Sequence, residues 1–306
     1  DYHTRPGFKS ALLFPETDIE EIVLKHHLLG MQVAIHTNGD YAIETALRAF
    51  EKAVARDGRR DLRHMLVHAQ TASDGQLARM KACGIIPSFF GRHIEVWGDR
   101  HAAIFLGPER TARLDPAGGA GRLGMPFSLR EGAPVLPVTA LGCMHAAVNR
   151  VSSGGALFCP DQRIRPIEAL RAYTTYASLC CGGEHDRGRI EPGRFADFAL
   201  VSDNLETIAP ETIRDARVKM TGSGGRVVYQ GEAVPMNSDR LFDSPNRLAA
   251  VTDTPENGVT RFSWSESDRK ARMFLAQELR AMGLAPHQDG IGNLRAVMKG
   301  ENAGPR

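Results

Sequence analysis

The sequence contains few cysteines and no long apolar run. Its 306 residues include five cysteines, an odd number, and none of them stands in a C-x-x-C spacing. Such usage predicts reduced thiols and a cytoplasmic protein without a cysteine-based metal cluster. No apolar stretch approaches the ~18 residues of a membrane helix, and no secretory signal is visible, so we expect no membrane association.

The chain also lacks a charge bias and several well-known catalytic motifs. Its formal net charge is +2, and the basic residues are dispersed, which argues against a nucleic-acid partner. No Gly-x-Ser-x-Gly is present, which weakens a serine-hydrolase interpretation. The run "GSGG" at 222–225 is not followed by Lys-Ser or Lys-Thr, so it predicts a tight turn rather than a phosphate loop.

What is present is an alternation of helical and strand patterns. Apolar spacing predicts, in chain order, a helix at 17–29, a strand at 31–36, a helix at 41–58, a strand at 63–70, a helix at 73–84 and a strand at 85–90. This order indicates an α/β fold with βα units around a parallel sheet. Residues 91–123 are polar and irregular, and such a long excursion is predicted to be a functional loop. Further on, 188–202 and 225–232 predict a small β element, and 265–283 a helix capped by Ser265.

Two histidines, His36 and His68, each close a short apolar strand, and they are 32 residues apart, about one βα unit. Because consecutive parallel strands end side by side, both imidazoles are predicted to meet at one edge. Neutral imidazoles of this kind are common Zn²⁺ ligands. The alternative is two buried histidines that are hydrogen-bonded to the backbone. Two histidines at matching positions favour the metal or catalytic interpretation.

The predicted loop at 91–123 contains a second group of side chains. His93 and His101 stand there beside Trp97, Asp99 and Arg100. These residues either form a wall of the substrate site or lie on the surface.

Histidines elsewhere carry less information. His26 and His27 fall within the first helical pattern and are expected on its solvated face. His64 starts a strand, and His145 is expected to be structural.

Several segments together resemble the amidohydrolase superfamily, in the branch that includes N-substituted formamide deformylases and related metal-dependent hydrolases. The resemblance covers about residues 1–235, and it corresponds to the C-terminal part of such proteins. The segments that carry it are "VAIHTNGDYAIETALRAFEKA", "RHMLVHAQ", "IPSFFGRHIEVWGDRHAAIFLGPER", "RIRPIEALRAYTTYAS" and "GRIEPGRFADFALVSDN".

The resemblance implies a fold and a ligand set. The fold is the C-terminal part of a (β/α)8 TIM-like barrel, with about four βα units, followed by a small β element. His36 matches the family's fifth-strand metal ligand and His68 the sixth-strand ligand. The aspartate that activates water in the family falls on Gly132 here, so the adjacent Glu131 becomes the catalytic candidate.

The implied chemistry is hydrolysis of a carbon–nitrogen bond other than a peptide bond. A divalent metal, expected to be Zn²⁺, would activate water against a small amide-like substrate. Asp40 and the segment from Trp97 to Arg100, including Asp99, are the candidate substrate contacts.

The chain departs from the family in two respects, of which Gly132 at the position of the family's aspartate is one. No His-x-His pair occurs, and the first four strands of the barrel have no counterpart. Two alternatives to a working enzyme therefore stay open. One is an incomplete, inactive fusion remnant. The other is a half-barrel that works as an oligomer or with a complementing N-terminal half.

The tail resembles a different family. Residues 240–300 are similar to the N-terminal segment of N-carbamoyl-amino-acid hydrolases and allantoate amidohydrolases, through "GVTR", "SESDRKAR" and "DGIGNL". The predicted division is a partial barrel at 1–190, the β element at 191–235, and a linker with an α+β extension at 236–306.

Overall fold

The computed structural model describes residues 2–231, 247, 250–252, 265–281, 283–288 and 294–296. The chain forms two compact units, Asp1–Ala233 and Val234–Arg306. The predicted linker at 234–246 and the tail motif "GVTR" lie outside the described residues. Within the described part, no helix is long and apolar enough to cross a membrane.

The first unit is built from short strands and the helices between them. Its helices are α1 (Glu16–Leu28), α2 (Asp40–Asp57), α3 (Asp74–Ala82), α4 (His93–Arg100), α5 (Gly107–Thr111), α6 (Ala117–Arg122), α7 (Ala140–Asn149), α8 (Pro166–Tyr173) and α9 (Thr175–Cys180). Its strands are β1 (Ala34–Thr37), β2 (Met65–His68), β3 (Ile86–Phe89), β4 (Ser128–Leu129), β5 (Phe198–Val201), β6 (Val218–Ser223) and β7 (Arg226–Gln230).

The first four strands form one parallel sheet in the order β1-β2-β3-β4. In its register, Thr37 pairs with His68, and Phe89 pairs with Leu129. The α/β class and the parallel sheet predicted from the alternating pattern are therefore confirmed. Parallel pairing requires a crossover, and the intervening helices supply it while burying the outer side of the sheet.

The main core lies between this sheet and its helices. The long helix α2 places Ile43, Leu47 and Phe50 there, all 0% exposed, in the same hydrophobic cluster as Leu66 of β2 and Phe89 of β3. Burying a large apolar side chain of this type stabilises the fold by about 1.5–3 kcal/mol.

The segment at 91–123 differs from its prediction as an irregular loop. It contains α4, a π-helical turn at His101–Phe105, α5 and α6. The physical reason is a spacing of four residues between His93, Trp97 and His101, which places the three rings on one side of a helical segment. π-helical turns are rare and are found often at functional sites.

A buried histidine pair fastens α1 to the start of β2. His27 is 0% exposed, so its predicted place on a solvated face is wrong; α1 packs this side against α2. The Val33 N–H donates to His64 Nδ1 at 3.0 Å, which leaves the His64 proton on Nε2. His64 Nε2 then donates to His27 Nδ1 at 2.9 Å, and His27 Nε2 donates to Asp57 at 2.7 Å. The His64 ring is thereby held neutral, in one tautomer.

Strands β5, β6 and β7 form a separate antiparallel sheet, in agreement with the predicted small β element. In the second unit, the described elements are α10 (Glu266–Ala281), β8 (His287–Gln288) and β9 (Leu294–Arg295). Ser265 accepts the Asp268 N–H at 3.1 Å, so the predicted cap of this helix is present.

Candidate functional site

Two imidazoles meet at the carboxyl edge of the parallel sheet. His36 is the third residue of β1 and His68 the last of β2. The register pairs His36 with Val67 and Thr37 with His68, and His68 leaves its strand with φ 72°. Their ring centroids are 4.4 Å apart, with the rings inclined at 66°. His36 is exposed, whereas His68 is only 7% exposed. The predicted convergence of these two side chains is thus seen in the structure, and their role as metal ligands stays a prediction.

The pair continues into a row of four imidazoles. The His93 ring stacks on His68 with centroids 5.1 Å apart, and His101 follows at 6.0 Å from His93. Trp97 flanks the row, 5.5 Å from His93. Of the two predicted locations for His93 and His101, the structure has the one beside the candidate site. Their helical spacing was the sequence signal for it.

A buried carboxylate lies beside this row. Asp115 is 2% exposed, and its Oδ2 is 3.6 Å from His93 Nδ1. Among the described residues, neither oxygen of its carboxylate has a hydrogen-bond partner. Its backbone has φ 46°, and its carbonyl accepts a hydrogen bond from the buried Arg150 guanidinium at 3.1 Å. No sequence pattern pointed to Asp115.

Arg130 brings a positive charge to the imidazole pair. Its Nη2 contacts His68 Nε2, and its guanidinium lies 5.4 Å from the centroid of the Phe90 ring. Burial, followed by the nearby Arg130 charge, lowers the pKa of His68 to about 3. The same two causes, in that order, lower the pKa of His36. Both rings are therefore neutral at physiological pH, and the single lone pair of His68 accepts from Arg130.

Glu131, the candidate catalytic acid, is not brought together with this pair. It accepts a hydrogen bond from the Tyr173 hydroxyl at 3.1 Å, and burial raises its pKa. Arg130 and Glu131 directly follow β4, and their side chains diverge: Arg130 contacts His68, whereas Glu131 contacts Tyr173 of α8. At Gly132, an added Cβ would lie 2.3 Å from Phe90, so this ring fills the space that a side chain would need.

The predicted substrate contacts are scattered. Trp97 is half-buried beside Phe90 and His93. Asp99 and Arg100 lie exposed at the end of α4, and Asp40 lies exposed at the start of α2. Only Trp97 contacts the imidazole row.

Comparison with known proteins agrees with this geometry. The model of the amidohydrolase family matches residues 2–229. The chain belongs to the amidohydrolase family. It is 28% identical over 228 residues to the N-substituted formamide deformylase of Arthrobacter pascens, a match that covers 72% of this chain and 40% of that protein. A crystal structure of an uncharacterized metal-dependent hydrolase from Pyrococcus furiosus superposes with a TM-score of 0.54 at 26% identity, covering 63% of this chain and 38% of that one.

The comparisons also bear on length and on the tail. The chain spans 34–43% of the length of the curated relatives that it matches over most of its own residues. A shorter match, 33% identical over 67 residues, joins it to the N-carbamoyl-L-amino acid amidohydrolase of Geobacillus stearothermophilus and covers 22% of this chain and 16% of that protein. The carbamoylase resemblance expected from the tail motifs is therefore represented among the relatives.

A metal centre does not fit the described residues by themselves. In the part of the chain that the structure describes, no three His, Cys, Asp or Glu side chains converge as ligands. Catalytic zinc usually keeps three protein ligands. His36 and His68 supply two nitrogens, and Nε2 of His68 already accepts a hydrogen bond from Arg130. The remaining His68 nitrogen, Nδ1, is buried without a partner among these residues.

Proposed function

We propose that this chain provides the carboxyl-terminal part of a metal-dependent hydrolase that acts on carbon–nitrogen bonds other than peptide bonds. Its four parallel strands would be one half of a (β/α)8 barrel. The substrate class is a small amide-like compound, and an N-substituted formamide is the first candidate because of the similarity to the Arthrobacter pascens deformylase.

The observation that carries the proposal is the approach of two neutral imidazoles, with centroids 4.4 Å apart, at the carboxyl ends of adjacent parallel strands. This edge is where active sites of α/β barrels assemble. The divalent metal, which we expect to be Zn²⁺, would be held by His36 and His68 together with ligands from outside these 306 residues.

A complementing N-terminal half would supply those ligands. In the described sheet, β1 and β4 each pair with one strand only, so each has an edge on which a further parallel strand can add. Of the other candidate residues, Trp97 would form part of the substrate wall. Glu131 could serve as an acid or base only after leaving Tyr173, which makes it the weakest member of the site.

The experiment is to co-express the chain with an N-terminal half-barrel of the Arthrobacter pascens deformylase and to measure formate released from an N-substituted formamide. The proposal predicts that the halves co-purify and that release depends on added Zn²⁺ and is lost in His36→Ala. Co-purification of the halves without formate release would argue against the proposed activity.

A second candidate is a remnant without catalytic activity. The observation in its favour is that Arg130 and Phe90 occupy the space beside His68. Under this candidate, His36→Ala would change neither the metal content nor any measurable turnover of the co-purified halves.

A further inference from the structure

Arg130 carries a fixed positive charge to the position that the family would give to a metal ion. Its Nη2 contacts Nε2 of His68, and its Nη1 donates to the Glu131 carbonyl at 3.3 Å. The guanidinium also lies over the Phe90 ring, 5.4 Å from the centroid. It is thus anchored by an imidazole, a carbonyl and an aromatic face.

The surrounding packing keeps the guanidinium there. Phe90 is 3% exposed and stacks on His93 with centroids 4.7 Å apart. On the other side the ring lies against Gly132, where an added Cβ would be 2.3 Å from it. The buried Phe90 ring therefore packs beneath the Arg130 guanidinium and supports its position.

An imidazole nitrogen has one lone pair, so His68 Nε2 cannot accept an N–H and bind a metal at the same time. A divalent ion beside the guanidinium would also be repelled by its charge, and the repulsion is strong at a half-buried site.

We infer that Arg130 is the resident cation of the imidazole pair and that it excludes a divalent metal from His36 and His68 in this chain. The inference rests on the proposed function in one respect, since it takes these two histidines as the metal-binding pair. Beyond the proposed function, we infer that a side chain of the same polypeptide blocks metal binding by the pair. A metal then binds only after Arg130 has left His68.

The test is a Zn²⁺ affinity measurement on the full chain, by competition with a chromophoric chelator. Arg130→Ala and the bulkier Arg130→Gln are compared with the unaltered protein, and circular dichroism checks that each variant is folded. Either substitution removes the charged hydrogen bond from Arg130 to His68, which a metal must otherwise displace. The Zn²⁺ affinity should therefore rise about 10-fold or more. The gain should vanish in Arg130→Ala combined with His36→Ala.

The chain offers a matched control. The Arg214 guanidinium contacts both nitrogens of His145, at 2.8 and 3.1 Å, and donates to the one that carries no proton, so Arg214→Ala frees an imidazole away from the candidate site. That variant should gain no Zn²⁺ affinity.

The outcomes distinguish a failure of the exclusion by Arg130 from a failure of the proposed metal-binding pair. If Arg130 variants bind Zn²⁺ no better while His36→Ala weakens binding by the unaltered chain, the pair binds metal and the exclusion by Arg130 is refuted. If neither the arginine nor the histidine substitutions change Zn²⁺ affinity, the proposed metal-binding pair fails as well. A gain that depends on His36 supports the inference. If the two Arg130 variants do not fold, the imidazole signals of His36 and His68 in the unaltered protein decide: they should not move when Zn²⁺ is added, and a shift would overturn the inference.

Discussion

Acidification should weaken the buried link between α1 and β2 through one identifiable group, His64. Burial is the larger cause that lowers the pKa of His64 from 6.5 to about 4, and the electrostatic effect of the neighbouring His27 ring is the smaller one. The remaining groups around it are Asp57, which accepts from His27, Arg59, which is paired with Asp57 at 2.6 Å, and the Phe50 ring, which stacks on His64. Protonation of His64 would place a hydrogen on Nδ1 against the Val33 N–H and break that hydrogen bond.

The shifted pKa of His64 makes the free energy of unfolding depend on pH. A pKa that is lower in the folded protein favours folding above the unfolded value and loses that contribution as the pH falls. The gap between the two pKa values corresponds to about 3 kcal/mol when fully expressed, and to about 2.5 kcal/mol at about pH 4.5. The loss should begin near pH 6.5 and be complete near pH 4.

Urea unfolding measures this loss. Trp97 and Trp264 are the two tryptophans of the chain, so a Trp264→Phe background lets Trp97 alone report on the first unit. For each protein, the free energy of unfolding is measured at about pH 7.5 and about pH 4.5, and the drop between the two is calculated. The drop should be about 2.5 kcal/mol smaller in His64→Gln than in the parent. Other titrating groups contribute equally to both proteins and cancel in the comparison. An equal loss in parent and variant would refute the account of the histidine pair.

Two further substitutions test the packing around the site by urea unfolding. Gly132→Ala should destabilise the first unit by about 1–3 kcal/mol, because its Cβ would overlap Phe90. The control Gly39→Ala has open space around it and should have little effect. Equal effects of the two substitutions would contradict the close packing at Gly132. Arg150→Met should cost about 3 kcal/mol or more, because it leaves the buried carbonyls of Leu114, Asp115 and Phe158 without their donor. A loss below about 1 kcal/mol would mean that water replaces this arginine.

The strands and their histidines could be predicted because the signal is local. Each strand is a short apolar run, and the helices between the strands indicate parallel order. The sequence therefore predicts that His36 and His68 lie side by side. Whether the sheet closes into a barrel depends on strands other than β1 to β4, and so this pattern could not decide it.

The residues that close the site were missed for two different reasons. Arg130 had a signal in its position, because it directly follows β4 at the same edge of the sheet as His68. Asp115 had none, since its burial depends on the distant Arg150 and Gln70, whose backbone carbonyl accepts the Asp115 N–H at 2.8 Å. Contacts between segments far apart in the chain leave no periodicity to read.

The most direct measurement is a crystal structure of Arg130→Ala soaked in Zn²⁺, with anomalous data collected at the zinc edge. The account predicts one strong peak about 2.0–2.1 Å from a ring nitrogen of both His36 and His68. A peak elsewhere, for example between His93 and Asp115, or no peak at the imidazole pair, would contradict it.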